Sequence, residues 1–292
     1  MPRELGPSLN ERQFFLQALK EEVRIDSRGF GDFRAIQLDF GDEYGVSDVR
    51  IGKTRVLTNI TAEVTTPFPD RPFDGPFTIT TSLSAMASPS FSGPPSETEV
   101  LLARLLEKTL RRSGALDTES LCLIAGRAVF SIRADVHVLS HDGNLTDAAC
   151  LGVVAALRHF RRGDSEVKGE DVKVFTMAER EGVALSLLHY PLCVTFSFYE
   201  GEVVLVDATL SEEQMREGSC TIGMNKHGEV CQIAKLGGAP VDAVILLSCS
   251  NLALRHVERM SKVMEERLLE DAKRRYKGGI KAEPSSENAR VP

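Results

Sequence analysis

The 292-residue sequence is sparing with cysteine, with positive charge and with long apolar runs, and each shortage excludes something. Its six cysteines are Cys122, Cys150, Cys193, Cys220, Cys231 and Cys249. No two stand at the short Cys-x-x-Cys spacing of a zinc site, and most lie inside apolar runs. That usage argues for buried, reduced thiols and against a disulfide framework. The start, MPRELGPSLNERQFF, has no apolar signal segment, and no apolar run approaches the length of a membrane span. The expectation is a soluble, intracellular chain with no membrane partner. Net charge is −7 and the pI is near 5.5, so a broad electrostatic grip on nucleic acid is not expected and any such contact must be local. There is no Gly-x-Ser-x-Gly elbow, no Walker phosphate loop and no dinucleotide fingerprint, and no cofactor is expected. His137 and His141 lie in a strand-to-turn context that separates them, so no metal pair is expected either.

What is present is a hydrophobic fraction of 42%, enough for a core of ordinary size in one large domain or two small ones. Residues 8–22 read as a helix capped by Ser8 or Asn10, with Phe14, Phe15 and Leu19 at helical spacing. Strands follow, in which Val49, Ile51 and Val56 alternate with polar residues and Gly52-Lys53 marks a hairpin. The segment TTPFPDRPFDGP carries four prolines between Pro67 and Pro76, which makes it a stiff, exposed connection rather than a central strand. A helix over 96–112 opens on a capping box, Ser96 to Glu99, and puts Leu101, Leu102, Leu105, Leu106 and Leu110 on one side. Strands over 119–125 and 128–139 lead to the stretch HDGNLTDAACLGVVAAL. Here Asp142-Gly143 signals a turn, Asn144 or Thr146 is placed to cap a helix, and small apolar residues fill that helix. Further strands around LCVTFSFY, VVLVD, CTIGM and EVCQIAK precede a long amphipathic helix over 242–275. Strands and helices in this order, linked mostly by hairpins, predict an α+β fold with helices on mainly antiparallel sheets. The last residues, 277–292, read as a flexible tail.

The stretches RIDSRGFGDFR, GKTRVLTNITAEV, the run from SETEVLLARLLEKTLRR to LRHFRR, and VDATLSEEQMREGSCTIGMNKHGEVCQI together resemble the RNase PH family, and within it the ring subunits of the eukaryotic RNA exosome. The likeness extends in order from about Asn10 to Ile245. It implies an RNase PH-like fold with two pseudo-repeated βα units over 23–276, after a helical extension at 1–22. It implies a six-membered ring with a central pore for single-stranded RNA, with other RNase PH-like subunits as neighbours. S1/KH-type RNA-binding cap subunits and exosome-associated catalytic ribonucleases are the further partners implied, and the nucleus, nucleolus and cytoplasm the places.

The resemblance also gives the opening of HDGNLTDAACLGVVAAL a meaning. A helix start with free N–H groups suits a phosphate, and catalytic members hold their attacking phosphate there with Gly-Gly-Thr-Arg or Gly-Ser-Thr-Arg. In this sequence Gly143 remains, Asn144 and Leu145 replace the next two residues, and Thr146 stands where the arginine would be. Active relatives also carry two spaced aspartates after the strand corresponding to VVLVD, which position a metal ion. Here Glu213 can match the first, but Ser219 stands at the second. With charge neutralisation and the positioned acid both missing, the resemblance implies a non-catalytic subunit without metal. The alternative is an active phosphate-dependent 3′ exoribonuclease. Read without the resemblance, Asp207, Glu212 and Glu213 suggest either an acid/base pair or, as is more usual for such a cluster after a strand, an exposed acidic turn.

For RNA contact the candidates are Arg104, Lys108, Arg111 and Arg112 on the 96–112 helix, and Arg71 in the proline-rich loop. Taken alone, the helix arginines and lysine describe a solvated charged face and Arg71 a solvent or interface residue. The resemblance points them at the RNA path, where such a stripe grips phosphates without base specificity. Arg158, Arg161 and Arg162 end a helix, where the macrodipole favours cations, and are taken as structural.

Overall fold

The computed structural model of the chain describes residues 6–287 other than 94–95, 170, 178 and 201–202, and no side chain is described at 168, 171 or 276–287. Helix α1, Leu9–Lys20, starts on a full capping box between Ser8 and Glu11. Phe15 and Leu19 turn inward to a small cluster with Tyr199, Leu205 and Met215, while Phe14, expected beside them, is exposed. The first sheet takes strands β1 Ile36–Phe40, β2 Val46–Ile51, β3 Thr54–Thr65, β4 Phe77–Leu83, β5 Cys122–Ile124 and β6 Ala128–Ser140. Its order is β1-β2-β3-β6-β4, with β5 beside β6, and only β4 runs parallel to its neighbour. Strict alternation in β2 buries Val49 and Ile51, and Gly52 at φ +59° takes the first turn position of the β2–β3 hairpin.

Helix α2, Glu97–Leu106, packs on β4, and its Ser96 cap accepts from the Glu99 N–H. Helix α3, Leu145–His159, lies between the first sheet and a second antiparallel sheet, touching β2 and β3 on one side and β11 on the other. That second sheet has the order β12-β11-β13-β14, from β11 Leu192–Tyr199, β12 Val203–Val206, β13 Gly218–Met224 and β14 Val230–Gly237. Between α3 and β11 the chain forms short pairs, β7 Arg161–Arg162 with β10 Val183–Ala184 and β8 Ser165–Lys168 with β9 Asp171–Val174.

The central position of α3 explains its composition. Ala148, Ala149, Cys150, Leu151, Val153, Val154, Ala155 and Ala156 are all buried, so the helix has no solvent face, and small side chains let two sheets approach it. At Gly152 an added Cβ would lie 2.7 Å from Thr58 Oγ1, while the Gly152 carbonyl accepts from Ser47 Oγ at 2.9 Å. A short helix α4, Leu210–Met215, links β12 to β13, and α5, Ala243–Glu287, closes the fold across β1, β11 and β13. The tail expected from 277 is thus helical as far as Glu287, and 288–292 lie outside the described residues.

Candidate functional site

Two places in the fold bear on function. The first is the start of α3. Gly143 has φ +80°, and its missing Cβ leaves room for the backbone of Ala208, Thr209 and Leu210 to press against it. Asn144 occupies the cap position in left-handed conformation, φ 55° and ψ 47°, but its side chain does not cap the helix as the sequence suggested. Its Nδ2 donates instead to Asp207 Oδ1 at 2.6 Å. The Asn144 N–H donates at 3.1 Å to Glu213 Oε1, and Arg216 Nη1 lies 3.2 Å from the same oxygen. A carboxylate of the chain itself, paired with Arg216, thus sits against the cap residue of this helix start. Thr146 is half-buried in the first turn and brings no charge.

The acidic cluster is not the exposed turn that its sequence suggests. Asp207 and Glu212 are 0% and 1% exposed, because three arginines from the segment before β1 reach them. Arg24, itself 1% exposed, donates from Nη2 and Nε to Glu212 at 2.7 and 3.1 Å and from Nη1 to the Val206 carbonyl at 3.1 Å. Arg34 donates its backbone N–H, Nε and Nη2 to the Asp207 carboxylate, each at 2.8 Å, and Nη1 to the Asp142 carbonyl at 2.7 Å. Arg28 adds a bond to Asp207 Oδ2 at 3.0 Å. Burial pushes the Asp207 carboxyl up, but the hydrogen bonds and charge of Arg34 outweigh it and hold it below the usual carboxylate range. The sequence singled out this stretch, RIDSRGFGDFR, without assigning its arginines a role. They are fully engaged in fixing the loop before α4, and so supply no free cation to the start of α3.

In the first turn of α3, Asp147 is buried and accepts from Thr195 N and Oγ1 at 2.9 and 2.8 Å. Burial pushes its pKa up to about 7, against the two bonds from Thr195, which lower it. Ser219 is buried in β13, opposite Ser197 and Leu236, and brings no acid. Among the described residues no group of three or more His, Cys, Asp or Glu is arranged to hold a metal ion. His137 is exposed on β6, whereas His141 packs on the Phe91 ring.

The second place is the basic helix. Its stripe is not the straight line that helical spacing gives, because the helix widens after Leu106 into a π turn, Glu107–Arg111, with the Arg112 N–H bonded to the Glu107 carbonyl. The wider turn brings Thr109 inward, where its single O–H has two acceptors in reach, Leu105 O at 2.9 Å and Gln232 Oε1 at 2.8 Å. Leu102, Leu106 and Leu110 are buried as expected, but Leu101 is 39% exposed and Leu105 only half-buried. The extra residue divides the cations. Arg104 borders a shallow depression with Ile79, Thr81, Glu99 and Glu107. Arg111 and Arg112 face a separate groove of about 720 Å³, across which stands Arg71 from the proline-rich loop. Lys108 is exposed and borders neither. Arg111 also pairs with Glu107 at 3.0 Å. Arg158, Arg161 and Arg162 instead lie over the rings of Tyr190, Tyr44 and Phe130 and serve packing.

Comparison with known proteins fits this geometry. Residues 32–162 match the 3′ exoribonuclease family, domain 1, and residues 189–256 match its domain 2. The chain is 48% identical to the exosome complex component rrp45 of Schizosaccharomyces pombe, over 99% of this chain and 100% of that one. It is 41% identical to the exosome complex component RRP45 of Saccharomyces cerevisiae, over 99% of each. Among solved structures it is similar to the Archaeoglobus fulgidus exosome with RNA bound to the active site, with a TM-score of 0.76 and 28% identity over 86% of this chain and 96% of that one. An archaeal exosome core aligns with a TM-score of 0.71 and 25% identity, over 87% and 96%. With both domains of the family matched in order and a relative similar along its whole length, the chain belongs to the RNase PH-type 3′ exoribonuclease family.

Proposed function

We propose that the chain is a non-catalytic subunit of the RNA exosome ring, which supports 3′-to-5′ RNA processing and degradation, including rRNA processing and mRNA turnover, by forming part of the channel for single-stranded RNA. Ring membership is supported by the likeness, over almost the whole chain, to two proteins named as exosome components. One observation carries the non-catalytic part. At the helix start where a phosphate would be held, the Asn144 N–H is bonded to the Glu213 carboxylate and Thr146 offers no charge. A second anion there would meet a like charge in a partly dry setting, which costs rather than stabilises. The rival reading, an active phosphate-dependent 3′ exoribonuclease, finds one cation at this place, Arg216, and that is already paired with Glu213 at 3.2 Å.

Within this reading the partners are the other RNase PH-like ring subunits, the S1/KH-type caps, the catalytic ribonucleases that use the channel, and single-stranded RNA. The chain would work in the nucleus, nucleolus and cytoplasm. The test is reconstitution with the other ring subunits, followed by light scattering. A ring containing one copy of this chain is expected, and a chain that stays monomeric beside those subunits would refute the proposal.

A further inference from the structure

The groove that joins Arg71 to Arg111 and Arg112 also contains an aromatic ring for which phosphate contact has no use. Phe68 borders it and is 66% exposed, a large apolar surface left in water. The loop that carries it is stiff. Pro67, Pro69, Pro72 and Pro76 fix four φ angles. The Arg71 N–H donates to the Phe68 carbonyl at 3.0 Å, the Gly126 N–H to Pro72 O at 2.9 Å and the Gly75 N–H to Thr118 O at 3.0 Å. Gly75 is packed so closely that a Cβ would lie 2.6 Å from Leu121 Cβ. A ring held on such a loop gives up little conformational freedom when something covers it.

The charges around the ring narrow the choice of what covers it. Arg71 and Arg112 have no ion pair among the described residues, while Asp70 and Asp74 add two carboxylates to the border. Guanidinium groups beside an open aromatic face match a ligand that alternates phosphates with flat π surfaces, which is single-stranded nucleic acid. A second ring on the same loop, Phe73, is 60% exposed but does not border the groove.

We propose that Phe68 is a stacking platform for a base of single-stranded RNA, in the groove where Arg71 and Arg112 take the flanking phosphates. This rests on the reading of the chain as an RNA-guiding ring subunit. Base–aromatic stacking tolerates any sequence, so the contact grips a moving strand without choosing among bases.

The test is fluorescence anisotropy of labelled oligouridylate and oligoadenylate on the reconstituted ring. F68A and F68L should each weaken binding by roughly tenfold, since both remove the π face and only one removes apolar bulk. F68Y and F73A should bind like the unaltered ring. The double variant R71E/R112E should also weaken binding and lower the slope of log affinity against log salt by roughly 0.7 per lost contact, whereas F68A should leave the slope unchanged. If F68L binds as tightly as F68Y, the ring is not a stacking platform. If F68A has no effect while R71E/R112E does, stacking fails and the RNA-path reading stands. If neither has an effect, the RNA-path reading fails as well.

Discussion

Asp147 shows how much of this molecule is decided by single buried groups. Its carboxyl has a pKa of about 7 in the fold against an ordinary value of 3.8, so the folded chain holds a proton that the unfolded chain has released. Where the folded state binds more protons, stability falls as pH rises, here between about pH 4 and about pH 7. The amide of D147N imitates the protonated acid at every pH. Urea melts from about pH 5 to about pH 7.5 should therefore show the variant gaining on the unaltered chain up to about pH 7 and levelling off above it. A gap that does not change with pH would contradict this. Asp207 works in the opposite direction, because its lowered pKa contributes stability above the ordinary carboxylate range and loses it in acid. Replacing it by alanine leaves Arg34 and Arg28 short of their shared partner, and breaking a buried pair on one side costs about 3–5 kcal/mol. Chemical denaturation should show a loss of that order, and a loss under 1 kcal/mol, the scale of an exposed pair, would mean that the arginines find other partners.

Among the elements, the start of α3 is the most constrained. Gly143 combines a positive φ with a backbone, that of Ala208 and Thr209, lying where a Cβ would go. G143A should cost about 1–2 kcal/mol for the left-handed backbone and about 1–3 kcal/mol more for overpacking. Its midpoint in urea should fall accordingly, and an unchanged midpoint would show that the contact relaxes freely.

The turn at Asp142-Gly143 and the small-residue helix after it are legible in the sequence because glycine and alanine spacing reports local backbone and packing. The Asp207 and Glu212 pairings are not. Their partners Arg24, Arg28 and Arg34 lie more than 170 residues away in the chain, and no local pattern links them. The π turn after Leu106 was hidden for a different reason. It takes only one extra residue to widen a helix, and the widened turn carries Thr109, which meets Gln232 of β14. The basic stripe was thus visible as composition, while its division between two surfaces depends on a contact across the fold. Arg71 facing Arg111 and Arg112 was equally out of reach of spacing arguments, since the loop and the helix meet only in three dimensions.

On the scale of the whole molecule, β14 is an edge strand whose outer residues are unusually apolar. Val230, Ile233 and Leu236 are 47%, 49% and 39% exposed, and Val244 and Leu247 at the start of α5 are 70% and 66% exposed. An open apolar edge favours association, and a ring would cover such surfaces. I233K should therefore make the isolated chain more soluble and weaken its incorporation into the reconstituted ring. Equal incorporation by size-exclusion chromatography would place the ring contacts elsewhere.

The Glu213 carboxylate held against the start of α3 sets this chain apart from a phosphate-binding enzyme, and phosphorolysis tests that most directly. The pure chain, alone and in its reconstituted ring, is incubated with single-stranded RNA and inorganic phosphate, and nucleoside diphosphates are measured. No release that depends on this chain is predicted, so that changes at Thr146 or Glu213 leave the ring's output as it was. Phosphate-dependent release of nucleoside diphosphates by the pure chain, abolished by a change at Thr146 or Glu213, would contradict it.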